Sequence, residues 1–335
     1  MEGWTALIDR PTMGGWRAPQ DAETRRRALR EGAAPGCLPP AALDGCWGCF
    51  RDLAPARAGH DWLGKGCPGE RDRAGQPLRR FLRPGPHRAF PTRMRGTLYL
   101  TRVGEGVGEG EGDVEAPDEE VMVGLLRAWF QPVEVRALAL TGPQRASLDA
   151  ALERSGSQIE AQSAVRALRG VMPRDAFALV GYSVEDLCDS SKGFEYLFGQ
   201  ADRDVMCGIF SFARYGAEGG AGPARFLRRC GQVLCHETMH LFGISHCVYA
   251  ACVMNGSNHL AESDARPFAA CPVDTWKLAS AINAAGLGAR GHAPLTVDLA
   301  KRQRDLCAWF EAHGLLEDLD VARAMLAALE ADDGT

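Results

Sequence analysis

The chain lacks any apolar run long enough to span a membrane, so it offers no transmembrane segment. Its opening residues, MEGWTALIDRPTMGG, lack the basic-then-apolar order of a signal peptide, with Glu2 and Asp9 in the way. An intracellular, cytoplasmic protein with no membrane partner is the expectation. Basic charge is also short: 38 Lys and Arg stand against 43 Asp and Glu, for a net charge of −5 and a pI near 5.9. A nucleic-acid binder normally carries a basic footprint, which argues against that class. Cysteine, in contrast, is plentiful. Twelve in an intracellular chain point to thiols, zinc ligands or core residues rather than a disulfide framework, so their grouping matters more than their number. At 335 residues the chain can bury a large core in one domain or two.

Histidine is rare, yet three of the eight fall in the stretch HETMHLFGISH at 236–246. Residues four apart share a helix face, so His236 and His240 can aim ring nitrogens at one ion, with Glu237 beside them to polarise a bound water. Gly243 has no Cβ and can adopt a left-handed conformation that ends the helix and brings His246 round as a third ligand. Three protein ligands leave a fourth position for water, which separates a catalytic zinc site from a closed structural one. A chance HExxH arises in roughly one such chain in a hundred. Requiring Gly243 and His246 as well lowers that to about a few in a hundred thousand. The bland alternative is a helix whose histidines are polar surface or satisfied core residues.

Residues 1–92 are rich in Gly, Pro, Ala and Arg, and read as a loop-rich extension with short helices, for instance around 22–30, and no core of its own. Cys46-Trp47-Gly48-Cys49 could be half of a zinc knuckle, but Cys37 and Cys67 make no convincing second half. From residue 95 the character changes. Strands are expected at 97–101, 133–140, 177–182 and 207–213, and helices at 121–130, 163–170, 224–242 and 273–285. Alternating strands and helices mean an α/β domain with some parallel pairing. The Gly/Glu insert at 104–120 reads as a loop, and 298–331 as one or two amphipathic helices. The expected division is 1–92, 93–246 with the active-site helix, and 247–335 with the terminal helices.

A second cluster follows the third histidine: Cys247, Cys252, Met254, Cys271 and Asp274. The thiols are soft ligands suited to a second, closed zinc site, and Cys271-Pro272-Val273-Asp274 looks like a CxxC whose last member has become Asp. Reduced core cysteines without metal are the alternative.

The run His236 to Cys247, then Cys252-Val253-Met254, then Cys271-Pro272-Val273-Asp274, resembles the archaemetzincins, whose pattern is HExxHxxGxxHC, CxM and CxxC. Upstream stretches such as Asp175 to Gly181, Phe198-Gly199-Gln200 and Gly208 to Tyr215 are similar to that family too, so the resemblance covers about residues 95–315. It implies a metzincin-like zincin fold, α/β, with a twisted mixed sheet, an active-site helix and a smaller C-terminal subdomain. It further implies catalytic zinc on His236, His240 and His246, Glu237 as general base, and Met254 as the Met-turn residue. A structural zinc would sit on Cys247, Cys252 and Cys271, with Asp274 in the position of the family's fourth cysteine. The function expected is that of a zinc-dependent metalloprotease, a hydrolase in which Glu237 assists attack of zinc-bound water on a peptide or protein substrate, with aminopeptidase-like action on short peptides. A zinc-stabilised binding protein with little or no peptidase activity is the alternative, which the intact Glu237 disfavours. Arg214 and Tyr215 are read as structural rather than substrate-contacting, and His259 as a surface or capping residue.

Overall fold

In a computed structural model, residues 21–31, 38–53, 62, 75–83, 90–104, 116–216, 222–288 and 293–331 are described. Cys37, Cys67 and most of the acidic insert, 105–115, lie outside them. The described parts belong to two compact units. One falls within Ala89–Phe242 and Ile282–Thr296, the other within Leu7–Arg88, Gly243–Ala281 and Val297–Thr335.

Among the described residues, the first unit holds nine strands: β1 (Thr97–Arg102), β2 (Glu134–Ala137), β3 (Arg154–Ser155), β4 (Gln158–Glu160), β5 (Ala176–Ser183), β6 (Leu187–Asp189), β7 (Phe194–Leu197), β8 (Gly199–Asp202) and β9 (Cys207–Ser211). Five form a mixed sheet in the order β2-β1-β5-β9-β8. Its pairs are parallel except the last, where β8 runs antiparallel to β9 at the edge. Strands buried on both faces need apolar residues throughout, which is why β5 (AFALVGYS) and β9 (CGIFS) show no alternation and are buried at every position.

The helix Ala161–Val171 covers this sheet with a stripe of Ala161, Ala164, Val165 and Leu168, the i, i+3, i+4, i+7 spacing of one face. Gly181 in β5 marks a close approach. A Cβ there would lie 2.8 Å from both Leu168 Cδ1 and Val103 Cγ2. The shorter strands form a second sheet, β3-β4-β6-β7. Neither it nor the helix Gly142–Ala150, which opens with a Thr141–Gln144 capping box, is evident from periodicity, because strands of two to four residues are too short to show any. The mixed α/β class and the expected strands 97–101, 177–182 and 207–213 are observed with end shifts of one or two residues.

The histidine-bearing helix, Pro223–Leu241, starts with Pro at its first position, where the missing N–H costs nothing, and runs 19 residues. Cys230, Leu234, Cys235, Met239 and Leu241 are buried along it. Phe242, just past its end, stacks on Phe130 at 5.3 Å and meets Phe177 at 4.7 Å, which pins the helix terminus to this unit's own core.

The second unit is helical. Leu299–Ala312 and Leu316–Glu330 are joined through Gly314 in the left-handed region, and Phe268, Trp309 and Phe310 form an aromatic cluster. The N-terminal stretch is part of this core rather than a detached extension. The helix Ala22–Arg30, as expected, is capped by Asp21, and Leu29, Leu43, Leu78 and Phe81 are all buried. Cys46 Sγ donates to the Met325 carbonyl on the last helix at 3.7 Å, and Arg25 Nε donates to the Tyr249 carbonyl at 2.9 Å. Burial pushes the Cys46 thiol up to about 12. No described helix is long and apolar enough to cross a membrane.

Candidate metal centres

His236 and His240 lie one turn apart on the helix Pro223–Leu241, with His236 buried and His240 half-buried. Their Nε2 atoms face each other at 3.0 Å, with the rings at 89°. Gly243 follows at φ +86°, the left-handed turn that its missing Cβ permits, and residues 244–248 carry no regular structure. The ligand-capable nitrogens of His236, His240 and His246 all lie within 4.8 Å of one another. Two imidazole nitrogens brought to 3.0 Å with a third close by suit a shared cation better than three separate hydrogen-bonding roles, so the donor set fits zinc. Glu237 is half-buried next to His236, and a Cβ on Gly199 of β8 would come 3.3 Å from its Cγ. The edge strand therefore runs alongside the carboxylate-bearing turn of the helix.

Among the described residues one other group could hold a metal: Cys247, Cys252, Cys271 and Asp274, all buried, with ligand atoms again within 4.8 Å of one another. Cys247 Sγ is 3.6 Å from Cys271 Sγ, and Asp274 Oδ2 is 3.4 Å from Cys271 Sγ and 3.7 Å from Cys252 Sγ. Asp274 thus sits with the three thiols, and its other oxygen accepts from Lys277 Nζ at 2.7 Å; both side chains are 0% exposed. Without an ion the set is electrostatically crowded. Burial, then the neighbouring Cys247 charge, raises Asp274 to about 7 against the pull of Lys277. Burial also pushes Cys252 and Cys271 up. For Cys247, burial is outweighed by hydrogen bonds from Cys252 and Cys271 and by Lys277, which bring it down. A soft divalent cation relieves this crowding, so the second donor set fits zinc as well. Cys46 and Cys49 belong to neither group.

The loop that carries these ligands is held by its own polar side chains. Asn255 donates to the carbonyls of Cys247 and Ala250 at 2.9 and 3.0 Å and accepts from Cys252 N–H at 2.7 Å. Met254 is fully buried, and its carbonyl accepts from Cys247 N–H at 2.8 Å. Arg266 in turn donates to the Asn255 carbonyl and to Ser263 Oγ. His259 is a capping residue, its Nδ1 accepting from Glu262 N–H at 3.2 Å. Arg214 forks onto Asp186 and lies 3.8 Å over the Tyr196 ring, and Tyr215 is buried, the structural roles expected.

Lys277, Asn255, Gln76 and Trp62 are the site residues that sequence reasoning missed. Lys277 had a signal, three residues after Asp274 on a helix. Gln76 and Trp62 had none, standing 167 or more positions from the segment they touch.

The profile of peptidase family M54 matches residues 184–279, a span that contains both donor sets. Archaemetzincin-2 of Macaca fascicularis is 31% identical over 231 residues, covering 59% of this chain and 62% of that protein. Archaemetzincin of Thermococcus kodakarensis is 32% identical over 100 residues, covering 29% of this chain and 53% of that one. The chain thus spans less than two thirds of the length of these relatives. A solved archaemetzincin from Methanopyrus kandleri aligns with TM-score 0.42 at 23% identity, over 56% of this chain and 96% of that one. The M54 profile thus lies across both donor sets, and the chain is similar to archaemetzincins from Macaca and Thermococcus alike.

Proposed function

We propose that the protein is a zinc-dependent metallopeptidase that hydrolyses peptide bonds. The observation that carries this is the convergence of the His236, His240 and His246 nitrogens beside Glu237 on a helix closed by Gly243. These three histidines would hold the catalytic zinc, and Cys247, Cys252, Cys271 and Asp274 a second, structural one. When bound there, zinc would supply Lewis acidity toward the scissile carbonyl and the attacking water.

The chain's own part is proton transfer and placement. Glu237 accepts the proton of the attacking water and then delivers it to the departing amine nitrogen, the two half-steps of general acid–base catalysis. Its neighbour β8 offers an edge strand alongside, and Met254 is the Met-turn residue of this reading. Short peptides cleaved in an aminopeptidase-like manner are the substrate class proposed. An intracellular, cytoplasmic setting is part of this reading.

Glu237→Gln should retain both metals while kcat/KM falls about 10²- to 10⁴-fold. Unchanged, chelator-sensitive cleavage of a mixed peptide library by that variant would sink the assignment, as would full metal retention in His240→Ala.

A further inference from the structure

The third histidine lies beyond the helix, in a stretch with no backbone ladder of its own. Something else must fix where it points. Gln76 Nε2 donates to the Gly243 carbonyl at 3.0 Å, and Ser245 N–H donates to Gln76 Oε1 at 3.0 Å. One side-chain amide therefore serves the C=O of one residue and the N–H two residues on, the pair of bonds that a neighbouring strand's peptide would offer. The bonds bracket Ile244, two residues before His246.

Gln76 is itself held tightly. Gly75, at φ +67°, is packed so that a Cβ would fall 2.6 Å from Tyr249 Oη and 2.8 Å from Val248 Cγ2. The glycine thus touches the chain just past His246. Arg80 Nη1 donates to the Gly75 carbonyl at 3.1 Å, and the turn Leu78–Phe81 that follows buries Leu78 and Phe81.

The ring of His246 has a second support. Trp62, 4% exposed, meets it edge-on, with centroids 5.2 Å apart and planes at 77°. Trp62 lies flat enough against the loop that a Cβ on Gly256 would come 2.4 Å from its Cε2. Its backbone N–H donates to Glu262 Oε1 at 2.8 Å, while Glu262 Oε2 accepts from Asn258 N–H at 2.8 Å, so the indole is tied to the 255–262 loop from both ends.

We infer that Gln76 and Trp62 are positioning residues for His246: the first sets the backbone turn that delivers it, the second its ring orientation. The metal centre then includes residues from the N-terminal stretch that lies outside the family profile. This rests on the reading of His236, His240 and His246 as a metal site.

Groups supporting a metal ligand typically change affinity 10- to 100-fold when removed. The test uses full-length protein as wild type, Gln76→Ala, Gln76→Glu and Trp62→Leu, with Zn²⁺ affinity at each site measured by chelator competition and the Co²⁺-substituted forms compared by absorption. Gln76→Glu keeps the acceptor for Ser245 N–H but loses the donor to the Gly243 carbonyl, so it should resemble Gln76→Ala rather than rescue it. Expected is a 10- to 100-fold loss of affinity at the histidine site in all three variants, with a changed Co²⁺ ligand-field spectrum and an unchanged thiolate-to-cobalt band from the cysteine site. Wild-type affinity and spectrum in the Gln76 variants would overturn the inference. So would equal losses at both sites together with a lowered unfolding midpoint, the mark of a merely structural role. If His240→Ala, run in parallel, binds metal as wild type does, the metal reading beneath the inference has failed instead.

Discussion

Asp274 closes a CxxC-like motif with a carboxylate in place of a second thiol, and the exchange brings a lysine into play. A cysteine offers one ligand atom; a carboxylate offers two, and the second must be satisfied in a fully buried place. Lys277 does this at 2.7 Å, leaving Oδ2 toward the sulfurs. Three thiolates and a carboxylate around a divalent ion sum to a net negative cluster, which the buried ammonium partly offsets. Lys277→Met should therefore destabilise the protein by about 3–5 kcal/mol, the usual result of removing one member of a buried pair. Urea unfolding at saturating zinc measures this, and a change below about 0.5 kcal/mol, the range of ordinary surface substitutions, would contradict the role. Asp274 could be read from spacing as a ligand because it sits in a motif. Its need for a counter-charge could not, because burial is not written in a CxxD.

The helix Pro223–Leu241 shows how far an element can be read from sequence. Pro223 at its first position, apolar residues on one face and Gly243 beyond its end are local signals, and the helix forms within a residue or two of the expected limits. The largely apolar, fully buried β5 and β9 were legible for the same reason. The second sheet was not, since its strands are two to four residues long and exist by pairing rather than by pattern. Nor were the contacts of residues 62 and 76, which depend on chain segments far apart in sequence. The helix end also carries a prediction. At φ +86°, an alanine at 243 would meet the steric penalty of the left-handed region, about 1–2 kcal/mol, or the chain would turn differently. Gly243→Ala should lower stability by that amount and weaken metal at the histidine site while sparing the cysteine site. Zinc titration against a chelator, site by site, checks it; undiminished affinity at the histidines would show that the turn tolerates a Cβ.

At the scale of the whole molecule, the N-terminal ninety residues have changed status. Their composition reads as a loop-rich appendage, yet Leu29, Leu43, Cys46, Phe50, Trp62, Leu78 and Phe81 are buried. Hydrogen bonds from Arg25 to the Tyr249 carbonyl, from Arg51 to the Ala265 carbonyl and from Ala251 N–H to the Arg51 carbonyl stitch the stretch to the segment that carries Cys247 and Cys252. The sparse periodicity has a physical reason: these are short pieces, each giving one or two side chains to a shared core rather than a continuous face of their own. A large apolar side chain contributes about 1.5–3 kcal/mol on full burial, so losing this set removes an amount comparable to the total stability of a typical domain, about 5–15 kcal/mol. A truncated chain beginning at Thr92 should fail to hold the helical unit, with loss of zinc from the cysteine site, exposed apolar surface and no cooperative unfolding of that unit. Metal content, dye binding and calorimetry of the purified fragment would decide the matter. A fragment that keeps two zinc ions and a sharp transition would return the N-terminal stretch to the rank of an appendage.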